Sequence, residues 1–439
     1  MNGVDIATGE TIVSSRARMA IGMPRWVSSA SVAVIDQFLV SGTNFLTVVV
    51  VGRVCGPTAL GTYSLAATVL LLLAALAEAL ITGPYAIHLP RMLTRSSEYT
   101  GSLVAHACLL GGISTVLVFG GSKAVLLFHG TAPTARSLAP VAIIALPVIL
   151  REVARRHAFA HNKTVAALIL DVCVCSGQII ALLYCASRGV LSSTTAILLI
   201  GSSCITGCVF YFLIGGGKHF HVHRRAVLSD LTLNLSLGKW LLGSQVTMIA
   251  QFTIAQWAIT LTQGPAQNGI LMAASSVAMV ANPALTGLSN LILPKAARMV
   301  QSGGNIALRR LMKTVCFIMT AASAAYCLFI ASFGHRLGAS VYGQKYTLLA
   351  PILLPLALTF ACRCIAMPPY IGLWVLIKAQ SNVYINLIAM VSILFFIVIL
   401  RPFGVAGVAC SMMLGEATAC LLRWCMFFKA TKRDHSQRY

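Results

Sequence analysis

The 439-residue chain reads as an all-α integral membrane protein: twelve transmembrane helices in two six-helix bundles, related by a pseudo-two-fold axis along the membrane normal. Three observations predict this. Hydrophobic residues make up 58% of the chain and charged residues only 10%, against roughly 25% charged in soluble globular proteins. Apolar runs of about 20 residues recur, long enough to cross a bilayer as helices, without the two-residue alternation of a membrane β-barrel. Several features of the first half also return in register in the second.

The apolar spans fall at residues 28–54, 62–83, 101–121, 137–157, 164–186 and 192–214, then 240–262, 268–293, 311–333, 346–376, 381–400 and 404–428. Gly120-Gly121 is expected to end or bend the third. Pro351, Pro355, Pro368 and Pro369 predict a kink in the tenth, because each removes a helix hydrogen bond. With the N-terminus in the cytoplasm, 24 of the 32 Lys and Arg residues fall on the inner side and 7 on the outer, leaving Arg363 inside a span. Basic residues collect in cytoplasmic loops, so both termini are placed there, in a bacterial inner membrane. The net charge of +22 then needs no nucleic-acid partner.

The halves repeat. Gly56-Pro57 with Gly61 returns as Gly264-Pro265 with Gly269, each between the first and second span of a six-span block. Gln37 and Gln245 stand nineteen residues before these turns. Each second span leaves through a proline and basic residues, Pro90-Arg91 and Pro294-Lys295. An even number of spans per half gives both the same orientation. The chain thus divides into an N-terminal tail (1–27), an N-lobe (28–214), a cytoplasmic linker (215–239), a C-lobe (240–428) and a C-terminal tail (429–439).

Polar side chains form helically spaced stripes. Asp36, Gln37, Ser41 and Asn44 lie on span 1, and Asp171, Cys175 and Gln178 on span 5. Ser244, Gln245, Thr247 and Gln251 lie on span 7, with Ser275, Asn282, Thr286 and Ser289 on span 8. Residues three, four or seven apart share a helix face. Such stripes either line a hydrated cavity suited to sugars or bond neighbouring helices together. Charges inside spans are costly and point to function or pairing. Arg363 and Glu416 either bridge each other, or Arg363 meets an anionic headgroup such as pyrophosphate, which a guanidinium fork suits. Asp36 and Asp171 either bind H⁺ or Na⁺ or pair with Arg151 or Arg155. Glu78 reads as interfacial, with a cavity role as the alternative.

Little else carries chemistry. His219, His221 and His223 lack a neighbouring Cys or carboxylate and read as a basic, lipid-facing loop rather than a zinc site. Most of the 14 cysteines sit in apolar runs as small hydrophobic residues. No cleavable signal peptide is evident in the first 27 residues. The sequence has no P-loop, no Ser/His/Asp constellation and no H-E-x-x-H, so no cofactor is expected beyond a coupling ion.

Asp36-Gln37, Ser41-Gly42-x-Asn44-Phe45 and Gly52-Arg53-x-x-Gly56-Pro57-x-x-x-Gly61-x-Tyr63 resemble the opening of bacterial polysaccharide (O-antigen-type) flippases. Arg401-Pro402-Phe403-Gly404-Val405-Ala406-Gly407 is similar to the start of their last helix. The family belongs to the multidrug/oligosaccharidyl-lipid/polysaccharide exporter superfamily. The resemblance implies a non-enzymatic flippase that moves a polyprenyl-pyrophosphate-linked oligosaccharide to the outer leaflet by rocking two lobes. It also implies a cationic cavity, for which this chain offers Arg363, with Arg53 and Arg151 at the rims. Membrane lipids and polysaccharide-synthesis enzymes are the expected partners. Two other readings remain: an ion-coupled multidrug or cation antiporter of the same superfamily, leaning on Asp36 or Asp171, and a membrane-embedded glycan polymerase or ligase. The last would need an extended outer loop with catalytic groups, whereas the outer connections here are short and carry no acidic residue.

Overall fold

The computed structural model describes residues 29–92, 95–129, 132–213, 221–343, 346, 349–376 and 378–432, and these are helical apart from short connections. With no water in the hydrocarbon to satisfy backbone groups, apolar segments of this length close their hydrogen bonds within a helix. The N-lobe contains α1 (Ser29–Cys55), α2 (Pro57–Ala77), a π-helical turn (Glu78–Thr82) and α3 (Gly83–His88). It continues with α4 (Ser96–His129), α5 (Ala132–Ala160), α6 (Thr164–Ser187) and α7 (Ser193–Tyr211). The C-lobe contains α8 (Arg224–Gln263), α9 (Pro265–Ala278), α10 (Asn282–Tyr342), α11 (Ala350–Val375), α12 (Ala379–Ile399) and α13 (Gly404–Lys432).

Among the described residues, nine helices are long and apolar enough to cross a membrane. Twelve crossings follow because α10 contains two, kinked at Gly304 (φ 61°, ψ −162°), and because α5 and α8 also span, despite the charges they carry. The eighth span is split, α9 supplying its first part and the start of α10 its second.

α4 runs unbroken through Gly120-Gly121, since glycine weakens a helix without removing a hydrogen bond. α11 keeps Pro355, Pro368 and Pro369 inside one continuous helix. Pro351 stands in its first turn, where a missing N–H costs nothing. One expectation needs correction. From Arg224 onward, the stretch read as a linker is the first four turns of the 40-residue α8. Those turns dock on α4: Ser102 Oγ donates to Asp230 (2.7 Å), and Tyr99 Oη donates to Asn234 (2.6 Å). Both tails and the first part of the linker, His219 included, lie largely outside the described residues.

The sequence repeat is a repeat of backbone geometry. Gly56 (φ 85°, ψ 179°) and Gly264 (φ 90°, ψ 168°) adopt nearly the same left-handed conformation, and Pro57 and Pro265 open the following helices. These two helices meet across the pseudo-symmetry axis. A Cβ on Gly61 would lie 1.7 Å from the Pro265 carbonyl oxygen, and one on Gly269 would lie 1.9 Å from that of Pro57. Only glycine allows backbones so close. Asn268 fastens the crossing by donating to the Gly61 carbonyl (3.0 Å) and to Ser64 (2.8 Å). Arg53 donates to the Ser340 carbonyl (3.1 Å), Tyr346 to that of Gly52 (3.0 Å), and Trp257 to Thr68 (3.0 Å).

The core follows the same division. Near the Gly-Pro turns one apolar cluster is shared by both lobes, running from Val51 and Leu60 through Ile270 and Ala274 to Leu356 and Val408. At the other end it separates. Tyr85, Tyr99 and Ile149 belong to an N-lobe cluster, and Met312, Met367 and Phe427 to a C-lobe cluster. Apolar packing therefore welds the lobes at one end; at the other the start of α8 rests on α4 beside a gap between the lobes.

Candidate functional site

The gap is a cavity of about 690 Å³. Its N-lobe wall is the far half of α2 from Leu71 onward and Glu78 of the π-helical turn, with Glu152 and Arg156 from α5. Leu71 stands fourteen residues into α2, so the cavity begins about 21 Å from the Gly-Pro turns at 1.5 Å per residue. The C-lobe wall carries Gln245 and Gln251 of α8, Asn282, Thr286 and Ser289 of α10, and Arg363 and Tyr370 of α11. Asn386 of α12 with Glu416 and Arg423 of α13 completes it.

Of the sequence-derived cavity candidates, Arg363, Gln245, Gln251 and Asn282 meet here, as does Glu416, which was considered for ion coupling. The N-lobe stripe does not. Gln37 donates to Ser41 (3.3 Å) on the same helix, and Asn44 is exposed on α1. Gln178 is buried and donates to Thr47 (3.0 Å), tying α6 to α1. Gln178 thus helps hold the N-lobe together, and all of these residues lie outside the cavity lining.

Asp36 and Asp171 are also structural neighbours rather than lining. Asp171 is fully buried and bonded to both Arg151 and Arg155, the latter at 2.7 Å. Arg155 reaches on to Asp36 at 2.6 Å. Its neighbour Arg156 faces the cavity and binds Glu78 (2.6 Å) and Glu152 (3.4 Å). This N-lobe network holds four carboxylates (Asp36, Glu78, Glu152, Asp171) against three guanidiniums (Arg151, Arg155, Arg156). Glu78 enters it from the π-helical turn, where Thr82 also donates to its carboxylate (3.0 Å). A π turn rotates following side chains relative to an α-helix and is common at functional sites.

The C-lobe wall has the opposite balance. Arg363 Nε donates to Glu416 at 2.8 Å, so the two form an ion pair, yet the Arg363 side chain keeps 27% of its surface exposed. Arg423 shares this wall and is bonded to a neutral partner, donating from Nη2 to the Asn386 side-chain oxygen (2.7 Å). Gln251 in turn donates to the Asn386 carbonyl (3.2 Å). Two guanidiniums thus stand on this wall with one carboxylate, which pairs with Arg363.

Arg423, Glu152, Arg156, Tyr370 and Asn386 line the cavity without being among the sequence-derived candidates. Two signals were available. Glu416 and Arg423 are seven residues apart and so share a face of α13. Pro147 and Arg155 recur as Pro355 and Arg363 at the same 208-residue spacing that separates Gly56 from Gly264. Arg155 and Arg363 are therefore the same position in the two halves, each bound to a carboxylate from another helix.

No family model matches the chain, and no curated protein matches it. Solved structures do. An inward-facing conformation of a multidrug resistance MATE family transporter of the MOP superfamily superposes with TM-score 0.77 at 14% identity, covering 92% of this chain and 96% of that one. The lipid II flippase MurJ, in an inward closed conformation, gives 0.71 at 15% identity, covering 91% and 89%. An outward-facing conformation of a multidrug resistance MATE family transporter gives 0.63 at 16% identity, covering 93% and 96%. At these identities the likeness is one of fold: the chain is a two-lobed, twelve-helix membrane protein built like the MATE transporters and the lipid II flippase.

Proposed function

We propose that the protein is an alternating-access transporter that carries an amphiphile with a polar head, and that the cargo is a polyprenyl-pyrophosphate-linked oligosaccharide. One observation carries this: a polar, charged cavity opens between two lobes whose apolar core is continuous only at the opposite end. Rocking about the Gly61–Gly269 crossing would close the cavity at one end and part the lobes at the other. With the termini in the cytoplasm, the present cavity belongs to the inward-facing state. Amides and hydroxyls of Gln245, Gln251, Asn282, Thr286 and Ser289 suit a glycan, while the lipid tail stays in the bilayer. A transport role also leaves the protein without a reaction to catalyse, unlike a glycan polymerase or ligase.

For coupling, Asp36 is the candidate in the N-lobe, because its Oδ1 is buried without a hydrogen-bond partner while Oδ2 holds Arg155. Binding of H⁺ or Na⁺ there would loosen Arg155 and with it the Asp171 cluster. The same carboxylates favour a second reading, exchange of a cationic drug for an ion.

The readings separate in proteoliposomes of the purified protein. Flipping of a fluorescent lipid-linked oligosaccharide, lost in Arg363→Ala while the protein still inserts, is the expected result. Uptake of a cationic dye that requires Asp36, without glycolipid flipping, would replace this reading by the second.

A further inference from the structure

The C-lobe gathers positive charge at its cytoplasmic end with no carboxylate to balance it. From residue 231 to residue 432 the chain contains a single acidic residue, Glu416, and that one is bound to Arg363 at the cavity. Arg310, Lys313, Lys429 and Lys432 are exposed and Arg309 is half-buried. Among the described residues no carboxylate lies within 4.0 Å of any of them. In the N-lobe, by contrast, Arg95, Arg151, Arg155 and Arg156 are each held by carboxylates.

Three of these C-lobe cations converge on one aromatic ring. The Arg309 guanidinium lies 5.3 Å and the Lys313 ammonium 5.9 Å from the Phe428 ring centroid. Lys432 follows Phe428 by one turn on the same face of α13. Arg309 and Lys313 stand four apart on α10, a spacing at which like charges repel; the ring attracts both and neutralises neither. Trp424 packs on Phe428 at 5.2 Å between centroids and is fixed by donating to the Ile365 carbonyl (3.1 Å). Deeper along the same helices the surface is bare and apolar. Phe317, one turn beyond Lys313, is 77% exposed, and Leu421, two turns beyond Phe428, is 69% exposed.

We infer that this end of α10 and α13 is a docking surface for anionic phospholipid of the inner leaflet. Arg309, Lys313 and Lys432 hold the headgroup phosphate around Phe428, and the acyl chains lie along Phe317 and Leu421. The order of residues along each helix selects this partner, because cations at the water boundary lead directly into exposed hydrocarbon-facing side chains. A nucleic acid or an acidic protein segment would meet the charges alone, and a zwitterionic lipid chiefly the apolar side chains. An anionic phospholipid meets both, and each basic residue beside such a leaflet strengthens the attraction by about fivefold. The collection of basic residues on the cytoplasmic side explains which end is positive; it does not explain why one lobe lacks the carboxylates that hold the arginines of the other. None of these residues lines the cavity, so the surface is independent of the cargo.

The test is native mass spectrometry of the purified full chain in a neutral detergent, titrated with phosphatidylglycerol and, separately, with phosphatidylcholine of the same acyl chains. Wild type is expected to bind phosphatidylglycerol saturably and about tenfold or more tighter than phosphatidylcholine. The triple variant Arg309→Gln, Lys313→Gln, Lys432→Gln should weaken phosphatidylglycerol binding by roughly a hundredfold, about fivefold for each charge removed, and leave phosphatidylcholine binding as it was. A control triple variant, Lys123→Gln, Arg188→Gln, Arg336→Gln, removes the same charge from exposed positions on the outer side and should bind phosphatidylglycerol like wild type. Glycerol phosphate, which has the charge without the chains, should compete far more weakly than the intact lipid. Equal affinity for the two lipids, the same loss in both triple variants, or competition by glycerol phosphate as strong as by phosphatidylglycerol overturns the surface. So does saturable binding of an oligonucleotide that the first triple variant abolishes while both lipids bind alike. No readout depends on what the cavity carries, so the surface and the flippase reading fail separately.

Discussion

Replacing Gly61 by alanine adds one methyl group where the two lobes are closest. The new Cβ would sit 1.7 Å from the Pro265 carbonyl oxygen, 2.7 Å from its carbon and 2.9 Å from the Gly269 nitrogen, all backbone atoms that cannot rotate away. Restoring even a 3.0 Å approach would require α2 and α9 to separate by roughly 1.3 Å, beyond what a close-packed interface absorbs without loss. The Asn268 bonds to the Gly61 carbonyl and Ser64, now 3.0 and 2.8 Å, would then exceed hydrogen-bonding distance. Two lost bonds at about 1 kcal/mol each and an overpacking cost of about 1–3 kcal/mol give a destabilisation of the welded end of about 3–5 kcal/mol. Gly112→Ala is the control: its Cβ meets nothing within 4 Å, and alanine there should be neutral or stabilising by up to about 1 kcal/mol. Spin labels on either side of the Gly56 and Gly264 turns, read by double electron–electron resonance, would report the separation, and thermal unfolding in detergent the stability. Gly61→Ala and Gly269→Ala press on the same contact, so the double variant should cost less than the two singles together. If Gly61→Ala leaves both the label distances and the melting curve at wild type, the crossing is not the pivot.

Two further substitutions test the frame. Asp171→Asn leaves Arg151 and Arg155 buried with weakened partners, and should lower stability by about 3–5 kcal/mol, the usual cost of breaking a buried ion pair; urea or thermal unfolding in detergent measures it. Gly304→Ala meets no neighbour within 4 Å but must hold φ at 61° and ψ at −162°, a region nearly closed to other residues, so a cost of about 1–3 kcal/mol is expected from backbone alone. Faster amide exchange around residue 304, with the lining helices unchanged, would be its signature.

The sequence exposed the fold more fully than the site. Twelve crossings and the two-lobe repeat are legible because lipid imposes span length, and because Gly56-Pro57 and Gly264-Pro265 need one rare backbone conformation that leaves a mark in the residues. The α8 extension was hidden: a basic, glycine-led stretch looks like a loop, and only the docking of Asp230 and Asn234 against Ser102 and Tyr99 makes it a helix. A polar stripe marks one face of a helix without saying what that face meets. Gln178 and Gln251 are both buried glutamines on a polar stripe, yet one bonds Thr47 inside the N-lobe and the other borders the cavity. Arg423 stands near the end of its span, where position alone does not tell its surroundings, although its seven-residue spacing from Glu416 puts both on one face.

The two lobes carry a matched arginine at the 208-residue repeat, and what surrounds it differs in charge balance. Arg155 sits among Asp36, Glu152 and Asp171 in a network with one surplus carboxylate, whereas Arg363 shares its single carboxylate with a wall that also contains Arg423. Opposite surpluses across the gap attract, weakly while water fills it and more strongly as it narrows and water leaves. The empty cavity therefore has an electrostatic reason to narrow. A cargo that bonded one wall more strongly than the other would change that pull, so loaded and empty proteins would differ in the free energy of closing. Only such a difference lets a ligand shift a conformational equilibrium at all, and the asymmetry between the two halves supplies it without any part beyond the buried charges themselves.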